Sequence, residues 1–189
     1  VARSPHGQVA TWAPTQTVQE DGICMMTITP APQLSEAMSE RAQMLALDIA
    51  AEVGVIGLMA VEIFVQDEML IVSRLVMRPH VSGNWTIEGA RTSQFEQHLR
   101  AVLDLPLGDP SMTTSVAVVG NVVAGNKSDM YRPYLHLMAR TPALKFHQYK
   151  VDARPGAVVG HVTLLGKNSS ELIDEVQHAL EYMSGEIDE

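Results

Sequence analysis

Two charged residues lie inside apolar segments of this sequence, where a buried charge without a partner is energetically expensive. Glu62 lies in the apolar run 59–64, and Arg74 lies in the apolar run 71–76. A carboxylate in such a position is a candidate metal ligand, and a structural ion pair is an equal alternative. Glu62 is therefore the first candidate for chemistry.

Whether Glu62 meets Arg74 depends on the register of the hairpin that residues 55–76 are expected to form. A three-residue turn at residues 66–68 pairs Ala60 with Arg74. The side chains of Glu62 and Arg74 then lie diagonally on one face. A two-residue turn would place them on opposite faces. We predict the three-residue turn, because it gives both charges a partner.

The loop that follows this hairpin, residues 78–86, contains a second pair of candidates. Arg78 and His80 flank Pro79, which restricts the backbone between them. Arginine suits bidentate binding of phosphate or carboxylate, and histidine exchanges protons near neutral pH. A surface turn with incidental polar residues is the alternative interpretation.

The elements that must position these residues follow from periodicity and capping signals. A helix is predicted over residues 35–53 and ends at Gly54. A second helix begins at Ser93, which has capping-box spacing to Glu96. Its buried edge is expected to be Phe95, Leu99 and Val102. Strands are predicted at 8–12, 23–29, 116–124, 144–149 and 158–165, and helices at 129–140 and 169–183. The fold class is α/β (α+β), with one domain boundary near residues 105–110.

Composition limits the classes of function. The net charge is −9 and no run of Lys or Arg occurs, which argues against a nucleic-acid partner. Cys24 is the only cysteine, so we expect a buried structural thiol and no internal disulfide. No apolar stretch approaches the ~20 residues of a membrane span, and no signal peptide is visible. We therefore expect a cytoplasmic protein without membrane contact. Because the chain begins at Val1, we also expect a truncated N-terminus.

Long motifs in the sequence resemble a known family. Residues 77–89 and 92–103 closely resemble the ATP-grasp enzymes that synthesise N5-carboxyaminoimidazole ribonucleotide. Further segments agree with the same family, so the resemblance runs nearly end to end: 1–4, 22–23, 60–62, 105–109, 154–156 and 160–162. The region around Cys24 and the helix at 35–53 are most similar to actinobacterial members.

The resemblance implies a fold and a reaction. Residues 1–105 would form the C-terminal part of an ATP-grasp domain, and residues 106–189 a small β-rich C-terminal domain ending in a helix. ATP would phosphorylate bicarbonate to carboxyphosphate, and the carboxyl group would then pass to the amine of 5-aminoimidazole ribonucleotide. Mg²⁺ would bridge the nucleotide phosphates. The family is usually homodimeric, and its glycine-rich phosphate loop lies upstream of the matched region.

The resemblance also assigns roles to residues of this chain. Glu62 matches the first magnesium ligand, and Arg78 and His80 match residues that line the bicarbonate and ribonucleotide site. Gly160 matches a position in the loop that binds the substrate phosphate. Substrate-binding roles carry over to Ser82, Gly83, Trp85, Lys150 and Arg154.

Several positions depart from the family pattern. Arg74 stands where the family has the second magnesium-binding glutamate. At ~4 Å and an effective dielectric constant of ~20, one charge contact is worth about 4 kcal/mol, so this exchange should weaken magnesium binding by orders of magnitude. We therefore hypothesise an impaired ligase, and the alternative is a non-catalytic ATP-grasp relative that acts as a binding or scaffold module. Family residues are also absent at Ser73, Val81, Asn84, Val151, Ala157 and Val158.

Overall fold

A computed structural model describes residues 1–124, 131–150, 154 and 156–187. Its strands are Ala2–Arg3 (β1), Val9–Ala10 (β2), Gln16–Glu20 (β3), Ile23–Thr29 (β4), Gly57–Leu58 (β5), Ala60–Gln66 (β6), Met69–Val76 (β7), Val116–Val123 (β8), Lys145–Gln148 (β9) and Val158–Gly166 (β10). Its helices are Glu36–Val53 (α1), Thr86–Gly89 (α2), Gln94–Val102 (α3), Tyr131–Arg140 (α4) and Ser169–Ser184 (α5). This mixture of sheets and helices is the predicted α/β class.

The chain divides into two compact units. Unit 1 comprises Val1–Thr15 and Pro30–Thr113, and unit 2 comprises Gln16–Thr29 and Thr114–Glu189. The single boundary that we predicted near residues 105–110 does not describe this division, because the segment between the two parts of unit 1 folds with the C-terminal half. The reason is strand pairing: β4 pairs with β8, with Met26 opposite Gly120.

Unit 1 contains a small antiparallel sheet in the order β2-β1-β5, the hairpin β6–β7, and the helices α1 to α3. Helix α1 begins after Ser35, whose side chain accepts a hydrogen bond from the amide of Met38. It ends at Gly54, which adopts the left-handed conformation with φ 69°. The predicted helix is confirmed with these bounds.

The hairpin β6–β7 differs from the predicted register. Its turn has two residues, Asp67 and Glu68, both with positive φ (48° and 60°), and Gln66 pairs with Met69. A regular two-residue hairpin would place Glu62 and Arg74 on opposite faces. The register shifts between Glu62 and Ile63, which pairs Glu62 directly with Arg74. A β-bulge therefore brings together the two charges that we had expected to meet across a longer turn.

Helix α3 presents a different face to the core from the one predicted. Ser93 caps the helix as expected, by accepting a hydrogen bond from the amide of Glu96. The predicted buried edge is wrong, because Phe95, Leu99 and Val102 are exposed by 46%, 58% and 39%. The residues that turn inward are Gln94, Gln97 and Ala101. The two glutamines take this position because each one binds the backbone of a loop.

Unit 2 is built on a five-stranded antiparallel sheet in the order β3-β4-β8-β10-β9, with α5 packed against its centre. Gly120 in β8 allows this close packing, since a Cβ there would lie 2.6 Å from a methyl carbon of Val176 in α5. The predicted strands and terminal helix of this half are present. The predicted start of the helix at Asp129 lies outside the described residues. Among the helices of the described chain, none combines the length and apolar character needed to cross a bilayer.

Candidate active site

The loop with the sequence-predicted residues Arg78 and His80 follows strand β7 and ends at helix α2. Its backbone forms a short turn in which the amides of Gly83 and Asn84 donate to the carbonyls of His80 and Val81. Thr86 closes the turn with a hydrogen bond from its hydroxyl to the Gly83 carbonyl, 2.6 Å long. The loop is therefore an ordered element that holds its side chains in fixed positions.

Gln94 on α3 clamps this loop. Its Oε1 accepts a hydrogen bond from the His80 amide (2.9 Å), and its Nε2 donates to the His80 carbonyl (2.9 Å) and to Asn84 Oδ1 (3.1 Å). Its own amide donates to the hydroxyl of Thr86. Gln94 is only 4% exposed, so these bonds satisfy an amide group that would otherwise be buried without partners.

Sequence reasoning missed Gln94. One signal was present: Gln94 and Gln97 have i, i+3 spacing and therefore share a helix face. Gln97 makes the equivalent pair of bonds to Gly108, with its Nε2 donating to the carbonyl and its Oε1 accepting from the amide, both 2.7 Å long. Two glutamines three residues apart, directly after a helix cap, could have indicated a helix face that binds the backbone groups of neighbouring loops.

Two of the residues assigned to substrate binding have a structural reason for their identity. A Cβ at Gly83 would lie 2.5 Å from Oε1 of Gln94, so a larger residue there is incompatible with the clamp. The side chain of Ser82 lies beside the imidazole of His80, with its hydroxyl 2.8 Å from Nδ1. Trp85 is fully buried, at 1% exposure, and cannot bind a ligand on an open surface.

A cavity of about 210 Å³ in unit 1 connects these residues. Its polar lining residues include Arg78, His80 and Ser82. Its apolar lining residues include Trp12, Ile63 and Leu70. A cavity with apolar walls and a few placed polar groups is the usual form of a small-molecule site.

Glu62 lies between two basic side chains at the loop. Its Oε1 is 3.5 Å from Nε2 of His80, and its Oε2 is 3.9 Å from Nε of Arg74. The Arg74 side chain is 70% exposed, whereas that of His80 is 15% exposed. The structure thus brings together Glu62, Arg74, His80 and Ser82.

The protonation of His80 follows from its surroundings. Burial lowers the pKa of His80 below its ordinary value, the Glu62 carboxylate opposes this effect, and the charges of Arg78 and Arg74 add to it. The net effect favours a neutral imidazole. A neutral imidazole can accept a proton or a hydrogen bond from a bound ligand.

The residues present around Glu62 do not fit a magnesium ion. Magnesium prefers oxygen ligands in octahedral geometry, and the side chains nearest to the Glu62 carboxylate offer nitrogen. Within the described ranges, no three His, Cys, Asp or Glu side chains are grouped so that they could hold a metal ion. The guanidinium of Arg74 instead supplies positive charge next to the carboxylate.

The remaining predicted residues belong to unit 2. Lys150 and Arg154 both have exposed side chains, on the segment between β9 and β10. Val151, where the resemblance leads us to expect lysine, lies outside the described residues. Ala157 and Val158, where the resemblance leads us to expect two cations, are half-buried, and Val158 pairs with Val123 at the start of β10.

Gly160 has a structural role in β10. It pairs with Gln148, and a Cβ at this position would overlap the backbone carbonyl oxygen of His147. Because a backbone atom cannot yield as a side chain does, Gly160→Ala should destabilise the protein by about 2 kcal/mol. Gly166→Ala on the same strand is the control, since a Cβ there meets a flexible methyl group of Leu172 at 3.1 Å. Urea unfolding of both variants tests this prediction, and equal stabilities would contradict it.

The family can be assigned from the first half of the chain. The model of the ATP-grasp domain matches residues 1–95, which is half of the 189 residues. This chain belongs to the ATP-grasp family. The matched region contains the hairpin β6–β7, the loop with Arg78 and His80, and the clamp residue Gln94.

The ATP-grasp chain is also similar to proteins that are named for one product. The N5-carboxyaminoimidazole ribonucleotide synthase of Mycobacterium tuberculosis (strain ATCC 25618 / H37Rv) is 48% identical over 188 residues, covering 97% of this chain and 44% of the relative. The resemblance seen in the sequence is therefore confirmed, including its similarity to actinobacterial members. The chain spans about half the length of the curated relatives it matches.

Solved structures lead to the same group of proteins. The N5-carboxyaminoimidazole ribonucleotide synthetase of Thermus thermophilus superposes with a TM-score of 0.82 at 32% identity, over 100% of this chain and 49% of that structure. The N5-carboxyaminoimidazole synthase of Aspergillus clavatus, solved with ADP and 5-aminoimidazole ribonucleotide, gives 0.81 at 31% identity, over 89% and 46%. The ATP-grasp fold of the chain is thus shared with these proteins.

Proposed function

We propose that this chain belongs to an ATP-dependent ligase that carboxylates 5-aminoimidazole ribonucleotide to N5-carboxyaminoimidazole ribonucleotide in purine biosynthesis. The observation that carries the proposal is the clamped loop of Arg78, His80 and Ser82 at a cavity, in a chain similar to synthases of this product. The partners are ATP, bicarbonate and 5-aminoimidazole ribonucleotide, and the assembly is a homodimer.

In the proposed reaction, ATP supplies the phosphoryl group that converts bicarbonate to carboxyphosphate. The amine of 5-aminoimidazole ribonucleotide then attacks the carboxyl carbon, and inorganic phosphate leaves. Arg78 is suited to bind the carboxylate or phosphate group, because its guanidinium offers paired N–H donors. We assign to His80, which is held by Gln94 and flanked by Ser82, the role of accepting a proton from the amine.

Arg74 stands where the resemblance leads us to expect a glutamate. This difference affects phosphoryl transfer, the step in which a cation would neutralise the charge of the nucleotide phosphates. A guanidinium beside Glu62 repels a divalent cation that the reaction would use at the nucleotide phosphates. The proposed ligase is therefore impaired as long as Arg74 is present. This same contact favours the second candidate function, a non-catalytic ATP-grasp relative that binds ligands without turning them over.

Arg74→Glu in the full-length protein is expected to increase magnesium-dependent ADP formation in the presence of bicarbonate and 5-aminoimidazole ribonucleotide. The new carboxylate faces Glu62 across the hairpin and supplies the missing oxygen ligand. Arg91→Glu, which changes another exposed arginine of unit 1, is the matched control and should leave the rate unchanged. Full activity of the wild type would refute the impairment. A wild type and an Arg74→Glu variant that both bind 5-aminoimidazole ribonucleotide without turnover would favour the binding module.

A further inference from the structure

The charged side chains around Glu62 have a net positive charge, as an anion-binding site requires. Arg74 and Arg78 carry two permanent positive charges, and the Glu62 carboxylate lies beside Arg74. Arg74 and His80 both lie against the Glu62 carboxylate, and Arg78 lines the same cavity as His80. A local excess of positive charge attracts an anion and repels a cation.

The contact between Glu62 and Arg74 leaves the guanidinium available to a ligand. Their closest atoms are 3.9 Å apart, which is beyond hydrogen-bond distance. The side chain of Arg74 is 70% exposed, so its N–H donors are accessible from solvent. Glu62 therefore lies beside the guanidinium without occupying its donors.

The hydrogen-bond donors of the two arginines favour a phosphate group as the ligand. Guanidinium donors form a planar fork that matches two phosphate oxygens. Arg78 and His80 also line the cavity, so a ligand with an apolar or aromatic part could place that part against Trp12. A phosphorylated nucleoside or nucleotide has this combination of groups.

We propose that Arg74 takes over the positive charge of a divalent cation, so that Arg74, Arg78 and His80 bind a phosphate-class anion directly and without magnesium. This inference rests on the proposed function in one respect, namely that the site handles phosphorylated ligands. It goes further by assigning a ligand-binding role to Arg74, which replaces a family metal ligand. It predicts a metal-independent site in place of a metal-dependent one.

The first experiment measures pyrophosphate binding to the full-length protein by calorimetry in the presence of EDTA. The wild type should bind, and Arg74→Glu should bind about tenfold more weakly or worse, because an attractive charge becomes a repulsive one. Arg74→Gln should lie between them, and Arg91→Glu should match the wild type. Equal affinities of the wild type and Arg74→Glu, or no wild-type binding in EDTA, would overturn the proposal.

The second experiment uses Mn²⁺ as a paramagnetic probe, detected by electron paramagnetic resonance without phosphate. The wild type should hold no ion that depends on Glu62, and Arg74→Glu should gain one. A wild-type ion that is lost in Glu62→Gln would contradict the inference. A protein that binds pyrophosphate as expected but fails to carboxylate 5-aminoimidazole ribonucleotide would overturn only the proposed function, so the two failures are distinguishable.

Discussion

Gln94→Met is expected to destabilise the protein by about 3 kcal/mol and to release the loop that carries His80. The methionine fills nearly the same volume but cannot bind the amide and carbonyl of His80 or the side chain of Asn84. Each buried polar group left without a partner costs about 1–3 kcal/mol. The His80 carbonyl retains the bond from Gly83, which limits the total.

Gln97→Met is the matched control for this prediction. Gln97 is on the same helix, is fully buried, and binds the backbone of Gly108 through the same two atoms. Both variants should lose similar stability in urea unfolding. Amide hydrogen exchange separates them, since only Gln94→Met should accelerate exchange at His80, by about tenfold or more, and only Gln97→Met should do so at Gly108. Unchanged exchange at His80 in Gln94→Met would show that Gln94 is not a clamp.

The face of helix α3 shows why the sequence predicted the element but not its contacts. The cap at Ser93 is a local feature that depends on a side chain and an amide three residues away. The buried face depends on what the helix packs against. The assumption that apolar residues face the core predicts that Phe95 and Leu99 are buried, but both are exposed. The loops beside α3 instead offer backbone N–H and C=O groups, which only polar side chains can bind.

The hairpin gives a second example at the candidate site itself. A diagonal contact between Glu62 and Arg74 was predicted from the cost of leaving either charge unpaired, and the structure brings the two charges together as a direct cross-strand pair. The turn and the bulge that produce it were not predictable, because Asp67 and Glu68 adopt positive φ without glycine and the bulge leaves no local signal. Energetic reasoning about side chains was therefore more reliable here than counting turn residues.

The departures from the family pattern leave the polar groups of the loop well satisfied. Asn84, where the resemblance leads us to expect histidine, is buried and accepts a hydrogen bond from Gln94. Arg74, where the resemblance leads us to expect glutamate, faces Glu62. These exchanges change the charge of the site while the clamp and the fold remain intact. The loop has therefore kept its structure at these positions.

Acid is expected to destabilise unit 2 through His161, which is 3% exposed. Burial lowers the pKa of His161 from its ordinary value of 6.5 to about 4, and the charge of the neighbouring His147 adds to this effect. His147 stacks on it at 4.4 Å, and Tyr149 Oη lies 2.7 Å from Nδ1. Its Nε2 is buried without a hydrogen-bond partner in the described part of the chain, so a proton there would have no acceptor.

The sign of the effect follows from the two pKa values. The unfolded chain takes up a proton near pH 6.5, and the folded chain does so only near pH 4. Between these values the unfolded state binds more protons, so stability falls as the pH falls, by roughly 3 kcal/mol in total. Above pH 6.5 this contribution is fully present. Urea unfolding of the wild type at about pH 7.5 and about pH 4.5 measures this loss of unfolding free energy, because most of the protonation of His161 in the unfolded chain occurs between these two values.

His161→Gln should lose much less stability than the wild type over the same range, because glutamine does not titrate. If His161→Gln does not fold, an NMR titration of the His161 ring in the wild type gives the same answer. A ring that titrates near its ordinary value of 6.5, or parallel pH profiles for the wild type and His161→Gln, would mean that burial of this imidazole does not limit stability in acid.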